Sequence, residues 1–203
     1  MSSSSTTARR VTDVKRAVVA LVALGALSAC GDDAPEAADT SALLQKSDLP
    51  PVASTSDYDA RNGTNTVCAE LNGFESNLAT TKPKTIGTQF SLENGDRVIS
   101  TLLGLYVAEG DVAYATDRVD AAIDECLADP ADADSFERLD GLTDGAVGFR
   151  SVLETSDGPV TTERAYAVAD DDHVVVVTVE HTGGGEASTS VADLLPVALD
   201  RAD

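Results

Sequence analysis

The residues of this chain able to do chemistry are few in kind: two histidines, three cysteines and 35 carboxylates. His173 and His181 fall on one predicted strand. At ~3.3 Å per strand residue they stand ~26 Å apart, too far to share a metal or to act as a pair. They read as solvent-facing residues at strand ends. The carboxylates are numerous without being organised. Asp129, Asp132 and Asp134 begin like a calcium loop. Counted from Asp132, however, the fifth position is Phe136, the sixth is Glu137 where glycine is needed, and the twelfth is Thr143 where a bidentate glutamate is needed. Asp170-Asp171-Asp172 reads as a solvated turn, with a weak divalent-cation site as the alternative. No Gly-x-Ser-x-Gly elbow and no Ser-x-x-Lys pairs a nucleophile with a base. Gly183-Gly184-Gly185 precedes a predicted helix, where a phosphate cradle would sit. No Lys or Arg lies within ten residues of it and Glu186 follows directly, so it reads as a flexible connection. Two carboxylates facing each other across a cleft would suit glycoside hydrolysis, but the sequence singles out no pair. No catalytic residue, metal ligand or cofactor is assigned.

The charge balance narrows the field further. Fourteen basic residues against 35 acidic ones give −21, a poor match for nucleic acid, which is held by clustered Lys and Arg. Apolar residues make up 42% of the chain, too many for a disordered acidic tail.

Cys30 has a context of its own. Arg9, Arg10, Lys15 and Arg16 form a basic stretch, and Ala17 to Ala26 is an apolar run too short for the ~20 residues that span a bilayer. Leu27-Ser28-Ala29-Cys30 follows, which is the lipobox pattern of bacterial lipoproteins. It predicts cleavage before Cys30, a diacylglyceryl group on the Cys30 thiol, and acylation of the new N-terminus. One acyl chain holds only marginally, whereas two or three make a stable anchor. The twin Arg9-Arg10 also admits twin-arginine export, although Thr12 and Asp13 stand where that signal prefers apolar residues. The predicted organisation is a signal peptide over 1–29, an acidic tether over 30–41 and one domain over 42–203. Cleavage removes four of the basic residues and one of the acidic ones, leaving 10 against 34, a charge of −24.

The elements that must position any site follow from periodicity. Leu43, Leu44 and Leu49 before Pro50-Pro51 predict a short helical turn and then an extended stretch. Val67, Leu71, Phe74 and Leu78 mark a helix within 65–79. Asn94-Gly95 predicts a hairpin over 86–107 with a two-residue turn, pairing Leu92 with Arg97, Phe90 with Ile99 and Ile86 with Leu103. Val112, Ala115, Val119, Ala122, Ile123 and Cys126 predict the strongest helix, 111–129. Residues 132–144 read as an acidic surface loop or short turn. Strands follow over 146–155, with Val147, Phe149 and Leu153 inward, then over 163–169 and 173–181. Val174 to Val177 is apolar on both faces and should be central. Val191, Leu194, Leu195, Ala198 and Leu199 mark a closing helix, with Asp193 as its cap and Pro196 in its first turn. The fold class is α+β: an antiparallel sheet of about five or more strands with helices packed on one face.

With Cys30 lipidated, Cys68 and Cys126 remain as an even pair in an exported domain, where disulfides form and persist. A bridge between them would staple two predicted helices; two buried thiols are the alternative.

The order of these features resembles the extracellular sensor domain of the PknH-type receptor kinases, which also occurs alone in actinobacterial lipoproteins. The resemblance runs from the lipobox and tether through Leu43-Leu44…Asp48-Leu49-Pro50 and Cys68 entering a helix. It continues with Cys126 ending a second helix, Val147-x-Phe149, the Val174–Val177 strand and a terminal helix to Ala202. It implies an α+β domain with a ligand-binding cleft, a role in sensing or binding small molecules, and usually two disulfides; this chain has cysteines for one. The Mog1/PsbP-like lipoprotein fold is a second resemblance of the same class. The function expected is a non-enzymatic sensor or binding domain, attached by Cys30 to the extracytoplasmic face of the cell membrane. Its ligand would be a small molecule or an envelope component. An envelope hydrolase using paired carboxylates and an acidic protein-interaction module are the alternatives.

Overall fold

A strand without a polar face must be covered on both sides, and the Val174–Val177 run is so covered. In the computed structural model, which describes residues 40–60, 70–71, 85–105, 112–129 and 133–203, it belongs to the central strand of a seven-stranded antiparallel sheet. In chain order the strands are β1 (Val52–Asp57), β2 (Ile86–Leu92), β3 (Arg97–Gly104), β4 (Ser135–Arg138), β5 (Val147–Thr155), β6 (Gly158–Val168) and β7 (His173–Thr182). Their order in the sheet is β1-β2-β3-β7-β6-β5-β4. Two meanders are thus zipped together where β3 meets β7. Helix α1 (Val112–Ala128) lies in the connection between them, and α2 (Val191–Ala202) closes the chain. All described residues fall in one compact unit, Ala37–Asp203. The signal sequence, Cys30, Cys68 and most of the helix read over 65–79 lie outside the described residues.

The α+β class and the antiparallel sheet agree with the sequence reading. The helices packed on one face do not. Along β7 the buried side chains alternate: Val174 and Val176 pack in one core with Val119, Ile123 and Cys126 of α1. Val175, Val177 and Val179 pack in the other with Leu194, Leu195 and Ala198 of α2. Successive strand residues point to opposite faces, so α1 and α2 cover opposite sides of the sheet. Both faces of β7 and β3 carry buried apolar residues and each needs a cover, which one layer of helices cannot supply.

The first hairpin is real, but its register differs by one residue. Phe90 pairs with Val98, Gln89 with Ile99 and Ile86 with Leu102. The loop has three residues, Glu93-Asn94-Gly95. It is closed by Leu92 N–H to Asp96 O (2.8 Å) and Gly95 N–H to Leu92 O (3.1 Å), with Gly95 in the left-handed region at φ 94°. That is the turn-plus-bulge alternative to the two-residue loop. A slip of one residue exchanges the faces. Leu102 and Val98 therefore join Phe90 on the α2 side, while Leu103 and Leu105 join the α1 side.

Two further readings change. Residues 135–138 are the edge strand β4, not loop. Arg138 on it bonds Asp120 and, at 2.7 Å, Asp124 of α1. Helix α2 begins three residues earlier than expected: Ser190 is the cap, its Oγ accepting from Asp193 N–H at 3.2 Å. Pro196 therefore sits inside the helix, where it removes one backbone hydrogen bond. The burial of Val191, Leu194, Leu195 and Ala198 outweighs that loss. Phe149 is buried as expected, stacked on Phe136 at 5.0 Å between centroids, whereas Leu153 is 36% exposed.

Gly148 shows how tightly β5 approaches β6. A Cβ there would stand 2.7 Å from Arg164 O and 3.0 Å from Ala165 Cβ. Gly148→Ala is expected to lower the unfolding free energy by about 1–2 kcal/mol through overpacking. Urea denaturation checks this, and an unchanged midpoint would refute it.

Candidate functional site

The pairing of β5, β6 and β7 carries one row of side chains past the end of α2. Arg150 pairs with Glu163, Glu163 with Val179, and Thr161 with His181. These positions share the parity of Ala165, Val175 and Val177, which face α2. The α2 face is therefore apolar under the helix and turns polar beyond its N-terminus. The segment 185–190 leads into α2 over this polar end. It encloses a cavity of about 340 Å³ lined by Arg150, Thr161, Glu163, Val179, His181 and residues of that segment.

Three contacts fix the walls. Glu163 Oε2 accepts from Val191 N–H at 3.1 Å, so a carboxylate already occupies the start of α2. Ser190 Oγ donates to Asp193 Oδ2 at 2.7 Å. Asp96, 1% exposed, binds the segment from below. Its Oδ2 accepts from Ser188 N–H and Ser188 Oγ, both at 2.8 Å, and from Asn94 Nδ2 at 2.7 Å. Its Oδ1 lies 2.6 Å from His181 Nδ1. Burial alone would raise the Asp96 carboxyl; the bonds from Ser188 N–H, His181, Asn94 and Ser188 Oγ outweigh it and hold the group at about 2. Asp96 is thus a carboxylate that only accepts, so His181 Nδ1 supplies the hydrogen of their contact. The Nε2 of His181 is buried without a hydrogen-bond partner. A Cβ built on Gly185 would stand 3.7 Å from it, so the backbone of the triglycine segment roofs the imidazole.

The histidines therefore differ from the solvent-facing reading. His181 has a 15%-exposed side chain held by a buried aspartate. His173 lies at the other end of β7, its Nδ1 2.9 Å from Asp170 Oδ2, and the two share no partner. Asp170 lies in the turn between β6 and β7, its Oδ1 accepting from Asp172 N–H at 2.6 Å. Among the described residues no cluster of three His, Cys, Asp or Glu could hold a metal ion. Cys126 is 1% exposed on the inner face of α1, and its Sγ lies 3.2 Å from Glu70 Oε2.

A second concavity, of about 520 Å³, opens between the 40–48 turns and β1–β2, lined in part by Leu44, Gln45, Thr88 and Phe90. Leu44 and Phe90 are core residues, 1% and 2% exposed, so its apolar walls already serve the fold. The cavity at α2 differs in holding an oriented imidazole with an unused nitrogen.

No protein-family model matches the chain, and no curated protein matches it in sequence. Fold and site together define a class only: an antiparallel α+β domain, helices on both faces, with a polar cleft where one helix begins. Among the described residues no helix is long and apolar enough to cross a membrane.

Proposed function

We propose that the chain is a lipid-anchored extracytoplasmic binding or sensor domain whose ligand site is the cleft at the start of α2. The observation that carries this is the Asp96–His181 pair: a buried carboxylate orients an imidazole on a cavity wall, and the fold leaves the outer nitrogen unused. Leaving a buried polar atom unpaired costs about 1–3 kcal/mol, and a bound partner would recover it. A fixed polar group in a preformed concavity is the usual make-up of a small-molecule site. The resemblance to the PknH-type sensor domains points the same way. The cleft is not the Phe- and Leu-lined pocket that would suit a lipid, so the ligand is polar.

Attachment rests on Cys30. The mature charge of −24 is repelled by anionic headgroups, so the acyl chains and not the protein surface hold the domain at the membrane. Cys30→Ala is expected to move the protein from the membrane fraction to the soluble extracytoplasmic fraction in cell fractionation. A variant that stays on the membrane in the same amount would refute the anchor.

A further inference from the structure

Beyond the cleft, we infer that the free edge of β1 receives an extended peptide segment of another protein as an eighth strand, with one apolar side chain of that segment entering the concavity beside β1. β1 stands at the end of the sheet and pairs only with β2. Tyr58 N–H bonds Gly87 O at 3.0 Å. Hydrogen bonding alternates along an antiparallel strand, so Ser54, Ser56 and Tyr58 turn their backbone groups toward β2. Thr55 and Asp57 turn theirs outward, and among the described residues no backbone group pairs with them. Ala53 to Asp57 are all exposed. Unpaired backbone groups in a row fit one chemistry, the backbone of another extended chain.

The two edges of the sheet differ in their protection. β4 is four residues long and carries Glu137 and Arg138, the latter tied to Asp120 and Asp124 of α1. Short, charged edges resist strand addition. β1 has no charge from Val52 to Ser56 and no proline, in a chain where 24% of the residues are charged. Its one irregularity lies between Val52 and Ser54 and leaves 54–57 in regular register.

The concavity supplies the selectivity that backbone pairing lacks. Thr55 pairs with Phe90 and Asp57 with Thr88, so their side chains share the face on which Phe90 packs with Leu44. All five line the concavity of about 520 Å³. An added strand places every second side chain on that face. Leu44 and Phe90 offer it an apolar floor, while Lys46 and Asp57 line the same space with opposite charges, so neither sign of ion is favoured. A second copy of this chain is the poorer occupant. Each copy carries −24, and a large net charge keeps molecules apart. A pairing of one short strand also covers far less than the ~1,200 Å² of a stable interface.

The test pans a phage-displayed library of random peptides against the full lipidated protein in neutral detergent, then titrates synthetic copies of the enriched peptides by calorimetry. The enriched peptides are expected to carry an apolar residue at every second position. Their binding is expected to slow hydrogen exchange at the Thr55 and Asp57 amides, which exchange freely without peptide. Thr55→Pro removes the outward N–H at an edge position where proline is tolerated, and should weaken binding about tenfold. Thr55→Lys, an exposed change, should weaken it several-fold and keeps the test decisive should Thr55→Pro fail to fold. A library with no enriched peptide, peptides indifferent to both substitutions, or protection confined to 185–193 would overturn the inference. A concentration-dependent dimer that protects β1 without peptide would overturn it as well, in favour of a second copy.

Discussion

Breaking the proposed bridge between Cys68 and Cys126 is expected to lower the unfolding free energy by about 4 kcal/mol, the chain-entropy figure for a loop of roughly 58 residues. Two observations support the bridge. Cys126 is 1% exposed and faces the core from α1. Its Sγ lies 3.2 Å from the carboxylate of Glu70, so the chain two residues past Cys68 reaches the helix at that point. Cys68 itself is outside the described residues. The measurement is urea denaturation of the native protein, the reduced protein and Cys68→Ala, with the last two expected to coincide. Intact mass after alkylation without reductant decides the premise. No label on Cys68 or Cys126 is expected, and two labelled thiols would refute the bridge.

The second large effect belongs to Asp96. Asp96→Asn keeps the shape but replaces an acceptor for four donors by an amide that brings its own N–H groups. The expected loss is about 2–3 kcal/mol at neutral pH, of the size found for charged hydrogen bonds left unmade in the interior. In a domain of this length that is a fall in Tm of roughly 4–12 °C. The pH dependence gives an independent check. The carboxyl is lowered from 3.8 to about 2 in the folded protein. Its contribution is therefore complete above 3.8 and disappears as pH falls through about 2. At ~1.4 kcal/mol per unit this is on the order of 2 kcal/mol. The native protein should lose that stability between pH 4 and 2, and Asp96→Asn should not. Parallel acid limbs for the two proteins would show that Asp96 is not the titrating group.

These effects were unequally legible in the sequence. The Val174–Val177 run announced a central strand because its two faces were equally apolar. The stripe ending at Cys126 announced α1 for the complementary reason, one face being polar. The register of the first hairpin was not legible from Asn94-Gly95, because the same dipeptide serves two-residue and three-residue loops. Here β3 is buried on both faces, so no polar face was available to choose between them. The two-sided placement of the helices was implicit in that same burial, yet helices on one face is the commoner expectation for an antiparallel sheet. β4 was hidden by its charges, which suit an edge strand as well as a loop.

The site was hidden more deeply. His181 shares the parity of Val177 and Val179, which was a signal that it turns toward the α2 side and not to solvent. Asp96 carried no such mark. It follows an Asn-Gly turn, where an exposed carboxylate is ordinary, and its burial comes from the 188–190 segment nearly a hundred residues later. Contacts of that sequence separation have no local signature.

The central claim is that this domain holds a small molecule in the cleft beside α2. It is tested most directly by native mass spectrometry of the lipidated protein taken from its host envelope. The native protein is predicted to carry a small molecule, and His181→Phe prepared in the same way is predicted to be empty. A native protein that arrives empty and hydrolyses envelope extracts would contradict the account and turn it toward the carboxylates as catalysts.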